Sequence, residues 1–531
     1  MGNSIVLRDR SSLMAFVLGC LAVTAGVILH LPMFWMGRDM GFALAGMPMD
    51  PGMIFGMALI VGGVAVAAYG LLPKGVAAQI EASRHIAVAA PEDAKLGPAH
   101  WGLMIVLVVA LIIDVMKPAS LGFVMPGMVK EYGVPKEHAA LVPFFALMGT
   151  VVGSVVWGVI ADIYGRKASI LLSAVMFVGT SICGAMPSLA WNIGMCFMMG
   201  AAAGGMLPVT YALLAETMPS RHRGWALVLV GGLGAAGGYF AASGFSALLQ
   251  PIFGWRILWL LNLPTGLTLV LMGGLIPESA KFLLARGRNA EAQAVMARFG
   301  TRSRTMGDEE EDLDFIPHHS AAHPRGSLVS GGFLGGTAAL SIIAIAWGLV
   351  NFGLLLWLPS DLVARGYSME VSSKLLAQSA LIAFPTVFFV ALLYSRWSTK
   401  WALVSMIVVT LAGLAGVLLL DRGAGTNPVI PVALLIIGCN GILAILLPYA
   451  AETYPLNIRG RATGWVAACS KLGGLIAQGL SITALVPPLG IAALMIMLPI
   501  SLGLVLVMLF GRETRGIDLR TLDRPQPVPL A

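Results

Sequence analysis

The stretch that decides the fold runs from Gly158 to Lys167, GVIADIYGRK, a short charged turn between two long apolar runs. Gly158 and Gly165 let neighbouring helices approach and let the chain reverse at a membrane surface. Asp162 is placed to accept from helix-end amides or from an arginine, and Arg166 with Lys167 holds the turn on the cytoplasmic side. Outward from this turn the chain is dominated by apolar segments. A membrane-crossing helix needs ~20 apolar residues. Fourteen runs qualify, at about residues 13–31, 52–72, 101–126, 139–161, 168–187, 190–215, 225–249, 256–276, 333–359, 375–394, 401–420, 429–451, 462–486 and 488–510.

Composition agrees. Of 531 residues 58% are hydrophobic and 11% charged, where a soluble chain carries about 25% charge. The net charge of +7 sits in short loops, where it sets orientation and gives no nucleic-acid surface. Cys20, Cys183, Cys196, Cys439 and Cys469 all fall inside expected spans without a CxxC pair, which argues against a disulfide framework or zinc site. Leu13 to Leu31 is long for a secretory h-region and lacks a small-residue cleavage site, so it reads as a retained span. Lys and Arg gather in alternate loops, which places both termini in the cytoplasm.

The last twelve runs form two sets of six, and the sets repeat. AETMPSRHRGW (Ala215 to Trp225) parallels AETYPLNIRGRATGW (Ala451 to Trp465), with Glu216, Arg223 and Gly224 matching Glu452, Arg459 and Gly460 at an offset of 236. PES at Pro277 parallels RET at Arg512, offset 235, and ALLYSRWSTK (Ala391 to Lys400) is a worn copy of the charged turn, offset 233. The expected fold is therefore an all-α membrane protein of two six-helix bundles with an added N-terminal hairpin. It divides as 1–99 hairpin and linker, 100–277 first bundle, 278–332 cytoplasmic loop, 333–511 second bundle and 512–531 tail. The loop should hold one surface helix (SAKFLLARGRNAEAQAVMARFG) and a solvated acidic cluster, Asp308 to Asp314.

The charged turn, the paired AET segments, PESAKFLLARGR and GRETRGIDL resemble the sugar-porter and organic-ion branches of the major facilitator superfamily over about residues 100–520. WLPSDLVARGYS (Trp357 to Ser368) and SKLGG (Ser470 to Gly474) look more like its aromatic-acid and metabolite proton-symporter branch. The glutamine-rich sugar motif and the Gly-Pro drug-antiporter motif are not visible, which weakens sugar transport and drug efflux. The resemblance implies alternating access around a central cavity, with a proton-coupling Asp in the first core span.

Asp114 occupies that position. A charge at such depth costs at least ~2.5–3.5 kcal/mol, so it should face a cavity or a partner. Lys117, three residues on, shares its helical face. Either a proton on Asp114 frees Lys117 to hold an anion, or the two form a static buried pair. Lys471 should reach the cavity and attract a carboxylate, with snorkelling to the cytoplasmic surface as the alternative. Asn262, Asn351, Gln378 and Asn440 are candidate substrate contacts or interhelical ties. Trp347, Tyr449 and Trp465 are candidate cavity aromatics. Glu216 with Arg223, and Glu452 with Arg459, are expected to join Gly158, Asp162, Gly165, Arg166 and Lys167 in a cytoplasmic gate between the bundles.

Met33, Met36, Met40, Met47 and Met49 with His30 suit Cu(I) chemically, but 29 methionines make packing the simpler reading. His318, His319 and His323 fit a solvated linker. No hydrolase, nucleotide-binding or zinc-protease motif stands in a suitable setting. The expected activity is proton symport of a small organic anion, such as an aromatic acid, by a monomer without cofactor in the cytoplasmic membrane. A sugar or polyol symporter, efflux, Cu(I) transport or a transport-dead sensor are the alternatives.

Overall fold

The computed structural model describes residues 10–72, 86–89, 95–305, 333–421, 428–454 and 456–515. Helices α1 (Arg10–Ile28) and α2 (Pro51–Leu71) come first, then strand β1 (Ile86–Ala89). The first core set is α3 (Pro98–Tyr132), α4 (Leu141–Tyr164), α5 (Arg166–Gly179), α6 (Leu189–Ala203), α7 (Met206–Thr217), α8 (Ser220–Phe253) and α9 (Asn262–Met272). Two short helices, α10 (Ala280–Ala285) and α11 (Asn289–Phe299), and strand β2 (Arg302–Thr305) lead to the second set. That set is α12 (Leu334–Leu349), α13 (Leu355–Ala364), α14 (Met369–Leu392), α15 (Thr399–Asp421), α16 (Val429–Thr453), α17 (Leu456–Ile482) and α18 (Leu489–Phe510).

Among the described residues twelve helical segments are long and apolar enough to cross a membrane. Two of the fourteen expected runs fall short of that test. The run at 256–276 breaks at Leu261, leaving a 16-residue apolar segment Ile257–Met272. The run at 462–486 is a 27-residue helix, α17, whose apolar character is diluted by Arg461 and Lys471. The expected surface helix is also two helices, because Gly287 turns with φ +66° between α10 and α11. The acidic cluster and the histidines at 318, 319 and 323 lie outside the described residues.

Within the first set α3 packs on α8, α4 on α6 and α5 on α9; within the second α12 packs on α17 and α18, and α15 on α16. The sets meet where α8 lies against α14 and α16, α3 against α13, and α4 against α17. Ser246 and Ser373 share a 2.7 Å hydrogen bond across this seam. An element the sequence did not announce is a two-stranded antiparallel ribbon: β1 pairs with β2, Ile86 opposite Thr305.

The hairpin is part of the first set. Helices α1 and α2 pack so closely that a Cβ on Gly26 would stand 2.5 Å from the Gly56 carbonyl oxygen. Together they form a second apolar cluster with Trp157 and with Leu171, Leu172, Val175 and Val178 of α5. Met33 and Met53 are fully enclosed in it, as packing residues should be, whereas Met36 and Met40 are exposed. Between the two helices, Leu44 and Ala45 donate their backbone N–H groups to Glu131 at 2.7 and 3.0 Å. Glu131 in turn takes Trp255 Nε1 at 2.7 Å and pairs with the buried Arg256 at 2.6 Å. Arg256 also donates to the Met186 carbonyl, so one carboxylate ties the ends of α3, α5 and α9 to the hairpin.

Candidate functional site

The centre of the molecule collects polar side chains from both sets at mid-helix. Asp114 on α3 is buried, and its Oδ1 has no hydrogen-bond partner. Lys471, midway along α17, lies within electrostatic reach of Asp114 and has its Nζ 5.2 Å from the centre of the Phe352 ring. Phe352 and Asn351 lie on a π-helical turn, Val350–Leu354, that joins α12 to α13. Such wide turns re-aim side chains and concentrate at functional sites. The carbonyl of Phe352 receives Gln478 of α17, which stabilises the irregular turn. Asn351 Oδ1 stands 3.9 Å from Cys439 Sγ on α16, and Trp347 Nε1 donates to the Cys439 carbonyl at 2.8 Å. From the first set, Tyr239 on α8 lies within electrostatic reach of Cys439. Tyr239 Oη and Asn440 Nδ2 are buried without a hydrogen-bond partner.

Several expected contacts belong elsewhere. Lys117 shares the α3 face of Asp114, yet its ammonium lies over the Phe177 ring inside the first set, and among the described residues Nζ donates to no partner. Among the described residues neither lysine forms an ion pair with Asp114, so the static pair is not formed. Lys117 lines a small crevice with Pro118, Ala146, Thr150, Met199 and Gly200, all from the first set, which removes it from the space between the sets. Asn262 is likewise enclosed in the first set, its Nδ2 4.0 Å from Met199 Sδ. Gln378 is exposed on the outer stripe of α14 with Val371, Leu381 and Ile382. Tyr449 donates to the Arg512 carbonyl at 2.6 Å, at the end of α16 away from the centre. Trp465 is exposed and donates to Ser341 at 2.9 Å.

The charged turn is organised by a residue the reading of the turn overlooked. Glu278 accepts from the backbone N–H groups of Arg166 at 2.8 Å, Lys167 at 3.3 Å and Ser279 at 2.9 Å. This caps the start of α5. Burial pushes the Glu278 carboxyl up from its ordinary range, against the pull of these hydrogen bonds. Gly165 has φ +100°, and a Cβ there would stand 2.6 Å from Glu278 Oε2. Gly165→Ala is therefore expected to destabilise the turn by about 1–3 kcal/mol, read as a lowered melting temperature of the purified protein; an unchanged value would show that the turn relaxes freely. Gly158, by contrast, has no atom within 4 Å of a built Cβ and makes no close approach.

The second half repeats the device with other residues. Glu513 accepts from Ser398, from Thr399 N at 3.0 Å and from Arg515 N at 3.0 Å. Burial raises the Glu513 carboxyl, but the bonds from Ser398, Arg515 and Thr399 outweigh it and hold the group below its usual value. The matched PES and RET segments were the sequence signal for both caps.

Among the described residues, the expected gate contacts that can be placed each lie within one set. Arg166 pairs with Glu216 at 3.3 Å, both in the first set. Glu452 accepts from Tyr394 at 2.6 Å and Thr514 at 2.8 Å, all in the second. The sets also touch here sterically: a Cβ on Gly224 would stand 2.7 Å from Glu452 Oε1 and 3.1 Å from the Tyr394 ring. The side chains of Asp162 and Arg459 lie outside the described residues.

The niacin transporter NiaP of Acinetobacter baylyi is 25% identical over 440 residues, covering 81% of this chain and 98% of the relative. The 4-hydroxybenzoate transporter PcaK of Pseudomonas putida is 28% identical over 409 residues, covering 71% and 84%. Among solved structures, the proton:xylose symporter XylE bound to 6-bromo-6-deoxy-D-glucose aligns with a TM-score of 0.63 at 15% identity, over 80% of this chain and 98% of that one. The partially occluded, inward-open XylE of E. coli aligns at 0.61 and 13% identity, over 80% and 100%. At these identities the structural likeness concerns the fold. Residues 103–478, well over half of the chain, match the Major Facilitator Superfamily; the chain belongs to this family of multi-pass membrane transporters and is not an enzyme.

Proposed function

We propose that the protein carries a small aromatic carboxylate across the cytoplasmic membrane together with a proton. The observation that carries the reading is the opposition of Asp114 on the first half and Lys471 on the second across the central seam. A lone cation at mid-depth attracts a carboxylate, and a lone carboxyl facing it holds or releases a proton according to whether that anion is present. Relatives named for niacin, benzoate, 4-hydroxybenzoate and gallate support the aromatic-acid class. Phe352 and Trp347 supply an apolar wall for a ring.

Asn351 belongs to this centre; Lys117 acts from behind Asp114 as a fixed charge. The clamps at Arg166, Lys167 and Glu216 and at Glu452 brace each half internally, and alternating access is rocking of one half on the other. On this reading α9 and α17 also cross the membrane, giving fourteen spans in all. The units are 1–99, 100–277, 278–332, 333–511 and 512–531, both termini are cytoplasmic, and the working unit is one chain.

Lys471→Gln removes the charge and keeps the length. Hydrogen bonds to charged groups contribute about 1.5–3 kcal/mol, so the half-saturation concentration for nicotinate, benzoate or 4-hydroxybenzoate uptake should rise about 10- to 100-fold. Unaltered half-saturation for all three acids would assign Lys471 to the surface and remove the anion site.

A further inference from the structure

The central site has more unmet hydrogen-bonding capacity than a carboxylate uses. Its cation, Lys471, reaches it from α17, with Phe352 beneath the ammonium. Two further groups come from α8 of the first set and α16 of the second. Gly232 of α8 faces Ala444 of α16, where a built Cβ would stand 3.3 Å from the Ala444 methyl. Tyr239 lies seven residues beyond Gly232, two turns along the same stripe, and Asn440 lies four residues before Ala444, one turn along its own. The repeat topology makes the two helices antiparallel, so both steps lead in the same direction. Seven residues rise ~10.5 Å and four rise ~6 Å, so Tyr239 and Asn440 lie within about one turn of each other along the seam. Tyr239 also lies within electrostatic reach of Cys439, the residue next to Asn440. Tyr239 packs its ring against Phe123, 6.0 Å between centroids, which fixes the direction of its hydroxyl.

Among the described residues, neither Tyr239 Oη nor Asn440 Nδ2 has a hydrogen-bond partner. A buried donor left unmade costs about 1–3 kcal/mol, and most buried polar side-chain atoms are satisfied. Both groups can donate. Building on the reading above, we propose that Tyr239 and Asn440 form a second recognition point, which takes a hydrogen-bond acceptor on the aromatic ring remote from the carboxylate. A phenolic oxygen or a ring nitrogen meets this description; an unsubstituted ring does not. The site thus selects bifunctional aromatic acids over plain benzoate. A site built to hydrogen-bond a polar atom discriminates against the analogue lacking it, because its own groups are left unpaired.

The test is equilibrium binding of three probes, benzoate, 4-hydroxybenzoate and nicotinate, to the purified full-length protein. Wild type should bind at least one of the two substituted acids about 10- to 100-fold more tightly than benzoate. Tyr239→Phe and Asn440→Leu should each shrink that ratio. Equal affinity for all three probes in wild type overturns the proposal, as does a ratio that survives in both variants; the wild-type comparison needs no variant to fold. Absence of binding by every probe would instead overturn the aromatic-acid reading on which this proposal stands.

Discussion

Asp114→Asn is expected to abolish accumulation driven by a pH gradient while counterflow exchange continues. With one proton per substrate, each pH unit across the membrane supports about a tenfold concentration ratio. Asparagine has the shape of the protonated acid and no titrating proton, so the ratio should fall to one. Exchange persists because the loaded carrier still reorients. The reason for expecting so complete a loss is the isolation of the carboxyl. It is buried, one oxygen lacks a partner, and no ion pair neutralises it among the described residues. Its charge is therefore felt mainly by Lys117, then Lys471, and whatever anion lies between the halves. Uptake by proteoliposomes with imposed gradients measures the ratio, and a variant that accumulates as wild type does would remove Asp114 from coupling.

The largest effect on stability is expected at the other end of the same helix. Glu131→Ala strips the fully buried Arg256 of its counter-charge and the hairpin loop of the acceptor for Leu44 and Ala45. Breaking a buried pair by removing one partner costs about 3–5 kcal/mol. Thermal unfolding in detergent should show a clear drop in melting temperature, and protease should cut the loop between α1 and α2 faster. Glu131→Gln, which keeps the acceptor oxygen and loses the charge, should fall between. A loop that stays resistant in Glu131→Ala would mean that the apolar cluster holds the hairpin unaided.

Most of the architecture was legible because each span announces itself by length and each half repeats the other. The charged turn was located correctly, but its organiser, Glu278, lies over a hundred residues away and was visible only as half of the PES and RET pair. Asp114 and Lys471 could be read because ionised groups in apolar runs have few explanations. Where such a side chain ends up could not be read: Lys117 turns inward to Phe177, and Gln378 faces outward, because rotation about a helix axis is set by packing. Asn351 gains its place from a π turn, a departure from regular periodicity that no pattern in the run reveals. The β ribbon was missed because four-residue strands in a linker carry no period, and its partner is distant in the chain.

The hairpin also alters how the surrounding lipid acts on the transporter. Helix α5, which begins at the charged turn, is almost wholly enclosed, and α1 and α2 cover part of its surface. A bilayer thicker or thinner than its guest tilts or stretches the helices that touch the acyl chains. Here much of that stress falls on α1 and α2, whose connecting loop is bonded to Glu131, on the helix that carries Asp114. Membrane thickness thereby gains a mechanical route to the carboxyl at the centre.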